Sequence, residues 1–119
     1  MAQVAKRKLS SSTSGRGIKV AATATPGTAI HTATVSTTNG TYDEVWLYAY
    51  NSDTTDRLLT IEFGGTTSPD DHIKVTIPAQ AGRFCVVDGH ILQNGLVIRA
   101  FAAAANVIVV TGFVNAITA

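Results

Sequence analysis

The side chains able to do chemistry are few in this 119-residue chain, and they stand far apart. His31, His72 and His90 are separated by about 20 to 40 residues, with no second ligand or base at a telling spacing. A metal site or a nucleophile–base–acid triad needs several such groups to converge, so here either would have to be assembled by the fold. Asp70-Asp71-His72 comes nearest to a ligand cluster for a cation. It follows a Ser-Pro turn and precedes a strand-like run, where adjacent acids ordinarily solvate a loop. Ser52, Ser68 and the serines at 10, 11, 12 and 14 lie in turn or flexible contexts, with no nucleophile elbow around them. Gly64-Gly65 lacks the following helix and the lysine of a phosphate loop. Cys85, the only cysteine, excludes an internal disulfide framework and any multi-cysteine zinc site. Within Phe84-Cys85-Val86-Val87 it is expected to be a buried, inert thiol. Asn39-Gly40-Thr41 matches a glycosylation sequon, but without a secretory signal it reads as a hairpin turn. The expectation is a protein that is not an enzyme, with no catalytic residues, cofactor or metal.

What would position any site is a set of strands. Hydrophobic residues make up 45% and charged residues 14%, so the surface must be covered largely by Thr, Ser, Asn and Gly, residues of strands and turns. Apolar-alternating runs are expected as strands at 18–23, 29–36, 44–51, 57–63, 72–77, 83–87, 96–102 and 107–117. Between them lie Thr25-Pro26-Gly27, Thr38-Asn39-Gly40-Thr41, Asn51-Ser52-Asp53, the 64–70 loop, Ala81-Gly82 and Gln93-Asn94-Gly95, each with Gly, Asn or Pro as its local cause. The fold class is therefore all-β: one antiparallel β-sandwich or jelly-roll-like barrel of about eight strands. In Val45 to Tyr50, the aromatic set Trp46, Tyr48 and Tyr50 shares one face, while Val45, Leu47 and Ala49 share the other. Leu59, Ile61 and Phe63 alternate with Thr60 and Glu62, as in a strand with one wet face. Residues 106–114 are again apolar on both sides. A subunit this small seldom buries both faces of several strands, so the excess points to a homo-oligomer, with Trp46, Tyr48 and Tyr50 on the contact or ligand face.

Charge divides the chain. Residues 1–19 carry Lys6, Arg7, Lys8, Arg16 and Lys19 and no acid, a charge of +5, whereas the remainder carries −4. Ser10 to Gly17 is small and polar, and residues 1–16 are expected to form a flexible basic arm ahead of a sandwich domain at 17–119. Removing the arm is then expected to leave the fold intact. Its partner is expected to be an acidic protein surface. Nucleic acid is the weaker candidate, because five charges without interleaved aromatics make a small phosphate footprint. Met1 to Leu9 lacks the apolar stretch of a secretion signal, and no run approaches a membrane span, so synthesis and residence in the cytoplasm are expected.

The order Ile77-Pro78-Ala79-Gln80-Ala81-Gly82-Arg83, the apolar run to Val87, Leu92-Gln93-Asn94-Gly95-Leu96-Val97-Ile98-Arg99-Ala100 and the closing Gly112-Phe113-Val114-Asn115 carry a resemblance. Over residues 42 to 117 the chain resembles small β-sandwich structural proteins of tailed bacteriophage virions. The resemblance implies a capsid decoration (cement) protein, a trimer by preference, made in the host cytoplasm and resident in the virion. Its partner would be the major capsid protein or another virion protein. A tail, head–tail junction or fibre-base protein is the neighbouring expectation. A carbohydrate-binding sandwich using Trp46, Tyr48 and Tyr50 as a platform is the expectation of another class.

Overall fold

A computed structural model describes residues 2–119 and contains, among them, strands and turns but no helix. The strands are β1 Gln3–Lys8, β2 Ile18–Lys19, β3 Thr28–Thr32, β4 Tyr42–Asn51, β5 Arg57–Phe63, β6 His72–Ile77, β7 Arg83–Leu92, β8 Val97–Ala102 and β9 Ile108–Thr118. One sheet has the order β1-β9-β4-β7, with β2 also on β9; the other has the order β3-β8-β5-β6. The antiparallel partners nest: β2 with β9, β3 with β8, β4 with β7, β5 with β6. Such nesting is a jelly roll, a long hairpin folded over so that successive rungs alternate between two packed sheets. β1 and β2 act as two halves of one edge strand, since β1 pairs with Phe113–Thr118 of β9 and β2 with Val109–Val110.

Strand alternation supplies the core. Val45, Leu47 and Ala49 of β4 face Leu59 and Ile61 of β5, with Ile98, Ile108, Val110 and Val114 completing the layer between the sheets. One end is closed by Asn51, whose buried amide donates to the carbonyls of Thr55 and Ile77 and accepts from the Asp53 amide. All its polar atoms are thereby satisfied, as burial requires. The other end gathers the 33–41 and 93–96 loops, joined by Asn94 and Gly95 amides donating to Ser36 and Thr34 carbonyls.

Three expectations are corrected. The segment expected as a flexible arm belongs to the sandwich: β1 is a strand, Leu9 is 1% exposed within the core, and Ser12 is buried. Met1 lies outside the described residues. An unpaired edge of β9 is available to β1, and backbone pairing needs no apolar periodicity, so the strand carries no pattern to read. Deleting residues 1–16 would therefore remove a core leucine rather than leave the fold intact. Cys85 is exposed. Register shifts in the β4–β7 ladder place it opposite Tyr48 on the outer face instead of the core face. Thr60 and Glu62, expected on a wet face, are buried at 2% and 0% exposure, Glu62 beneath the loop that carries Thr25 and Gly27.

Candidate interaction surface

The outer face of the five-stranded sheet is built by period-two alternation along its two central strands. Trp46, Tyr48 and Tyr50 of β4 stand half-exposed beside Phe113, Thr111 and Val109 of β9, their register partners. Trp46 stacks on Phe113 with centroids 6.2 Å apart and planes 12° from parallel. The Trp46 indole N–H donates to Glu44 Oε1 at 2.9 Å, and the Asn115 amide donates to the same oxygen at 3.0 Å. The Trp46 bond first, and the Asn115 bond second, hold the Glu44 carboxyl below its ordinary range. The single carboxylate of the centre is thus consumed internally. Free charge lies at the rims, with Asp88 and Arg83 on β7 and the basic residues of β1 on the opposite edge.

The five expected partner-binding cations do not form one cluster. Lys6 places its ammonium 4.3 Å from the Phe113 ring centroid, extending the aromatic face toward β1. Lys8 donates to the Ser12 carbonyl at 2.9 Å. Arg7, Arg16 and Lys19 are exposed, and none of the five forms an ion pair with an acid among the described residues.

Two buried polar constellations went unrecognised in the sequence, because each joins residues far apart along it. In the first, His31 Nε2 lies 2.7 Å from Asp43 Oδ2, at 5% and 4% exposure respectively. The Ser10 amide donates to His31 Nδ1 at 3.0 Å, so Nδ1 accepts and the ring proton sits on Nε2, directed at Asp43. Ser10 Oγ also accepts from the Thr32 amide at 2.7 Å. This arrangement clamps the chain just after β1 to β3 and β4. His31→Ala is expected to cost about 2 kcal/mol, since it leaves the buried Asp43 carboxylate with the Thr34 amide alone and removes the acceptor of the Ser10 amide. Urea unfolding checks it; a loss under about 0.5 kcal/mol would show that the clamp is idle.

In the second, Glu62 on β5 accepts from Thr25 Oγ1 at 2.5 Å and the Gly27 amide at 2.6 Å, with His72 Nε2 at 3.4 Å. Phe101 meets the His72 ring edge-on. Burial pushes the Glu62 carboxyl up, but the bonds from Thr25, Gly27 and His72 outweigh it and hold the carboxyl below its usual value. The Thr25 hydroxyl and the Gly27 amide both bond to the carboxylate, and the group fastens a loop to a sheet. His72 thus turns away from Asp70 and Asp71, and Asp71 Oδ2 instead accepts from the Thr67 amide at 3.0 Å. The three do not form a ligand cluster, and no group of three or more metal-ligating side chains occurs among the described residues. His90 stands edge-on to Phe63. No helix among the described residues is long and apolar enough to cross a membrane. Comparison with known proteins finds no matching family model, curated protein or solved structure.

Proposed function

We propose that this protein is a non-enzymatic structural protein of the phage virion, a decoration protein that self-associates and stabilises a capsid shell. The observation that supports it best is the outer face of the five-stranded sheet, with a centre of half-exposed aromatic and aliphatic side chains, its one carboxylate, Glu44, bonded internally, and free charge at its rims. That distribution matches the anatomy of a protein–protein contact, where charge is depleted at the core and aromatics are enriched. The jelly roll is a fold used by shell-forming proteins, although lectins share it and fold alone assigns no activity. In this reading the aromatic face, with Lys6 at its edge, joins copies about a three-fold axis, while the exposed Arg7, Arg16 and Lys19 meet carboxylates of the major capsid protein. Many copies on one shell then multiply a modest contact.

The wild-type protein at tens of micromolar is expected to scatter as a closed oligomer, with a trimer preferred. Trp46→Glu is expected to weaken association at least tenfold while leaving the circular dichroism of the monomer unchanged. A wild-type monomer at that concentration, or a Trp46→Glu oligomer, would sink the self-association reading. Counting copies on purified particles tests the address: hundreds per particle fit a decoration protein, and a handful fit a tail or junction component. Tight binding of oligosaccharides abolished by the same substitution would favour the carbohydrate-binding reading, which the half-exposed Trp46, Tyr48 and Tyr50 row also supports.

A further inference from the structure

We infer that β1 is an exchangeable arm, which in the assembled protein leaves its own β9 and pairs with β9 of a second copy. The inference rests on the self-association proposed above. Every residue of β1 is exposed, Val4 by 66%, so the strand adds no side chain to the core. What holds it is the backbone ladder from Gln3↔Thr118 to Lys8↔Phe113, together with the Lys6 contact on Phe113 and, at the hinge itself, the Lys8 bond to the Ser12 carbonyl, which lies within the anchored segment and can persist in the exchanged state. Firm anchoring begins at the next residue. Leu9 is 1% exposed, Ser10 is clamped to His31, and Ser12 Oγ donates to the Arg16 carbonyl at 2.6 Å.

A hinge between a loosely held strand and a core residue lets the arm swing without disturbing the core. The exchanged state remakes the same ladder and the same lysine–aromatic contact, so few bonds are lost and concentration decides the balance. Residues 2–8, fully extended, reach about 23 Å, comparable to the 20 and 27 Å shorter dimensions of the body. β1 also borders the aromatic face, so a copy docked there lies within that reach. An edge strand left open on β9 would be an exposed pairing site, which an incoming β1 covers.

The register supplies the test, because Val4 and Ile117 are cross-strand partners, one exposed and one half-exposed. In a Cys85→Ser background, chains carrying Val4→Cys alone are unfolded and refolded together with chains carrying Ile117→Cys alone, and the assembly is oxidised. Exchange predicts a disulfide-linked heterodimer on non-reducing gels, involving about half of the Val4→Cys arms in an equal random mixture. The chain carrying both substitutions is expected to yield covalent multimers. Cross-links confined within single chains, alongside an oligomer by light scattering, would overturn the exchange and leave self-association standing. A monomer by light scattering with intrachain links alone would overturn both.

Discussion

Gly112→Ala is expected to leave the protein unfolded at 25 °C, a loss above about 4 kcal/mol, well beyond an ordinary surface change. Gly112 lies in β9 opposite Leu47, at φ 152°, and a Cβ there would run into the Trp46 carbonyl oxygen and crowd the Leu47 Cα. Neither obstacle is a flexible side chain that can turn aside. β4 and β9 are the two inner strands of their sheet, paired continuously from Tyr42↔Ile117 to Asn51↔Ile108. Pushing them apart would break ladder bonds whose groups have no water to replace them. Gly82→Ala serves as the control. Gly82 also has positive φ, but a Cβ there meets nothing within 4 Å, so only backbone strain of about 1 kcal/mol is expected. Urea midpoints compare the two, and a Gly112→Ala midpoint close to that of Gly82→Ala would show that the ladder accommodates a methyl group.

Glu62→Ala is expected to cost about 3 kcal/mol, because it strands the Thr25 hydroxyl and the Gly27 amide against the sheet. The same carboxylate makes stability depend on pH. Its folded pKa lies below the ordinary glutamate value of about 4.5, so its contribution is fully present above that value and is lost as pH falls through the folded pKa. Glu62→Gln should therefore be less stable than wild type at neutral pH, with the gap narrowing as the solution is acidified below about pH 4.5. Thermal midpoints of both proteins from pH 7 to pH 3 check this. A gap that stays constant across the series would mean that the carboxylate's charge contributes nothing.

How far the sequence alone reached depends on whether a cause was local. The β5 and β6 boundaries were legible to the residue, Arg57–Phe63 and His72–Ile77, since alternation and flanking Gly, Pro and Asp act within a few positions. The 83–87 run was legible as a strand but not its continuation to Leu92, where Asp88, Gly89 and His90 interrupt the apolar pattern. Of the candidate surface, the shared face of Trp46, Tyr48 and Tyr50 followed from period two alone. Their neighbours on β9 did not, because strand pairing joins segments some 60 residues apart.

By itself, then, the sequence determined the all-β class, the position of most strands and the two apolar faces of β4, since strand period and turn chemistry are properties of adjacent residues. Only the tertiary structure decided that Gln3–Lys8 is a strand, that Leu9 is core, that Cys85 faces outward and that Glu62 and the His31–Asp43 pair are sealed. β1 exists because β9 offers an open edge, Cys85 turns outward because a bulge shifts its register, and Glu62 is buried because a loop 35 residues earlier folds over it. Each outcome depends on what a distant segment brings to the residue, and that information is absent from its own neighbourhood in the chain.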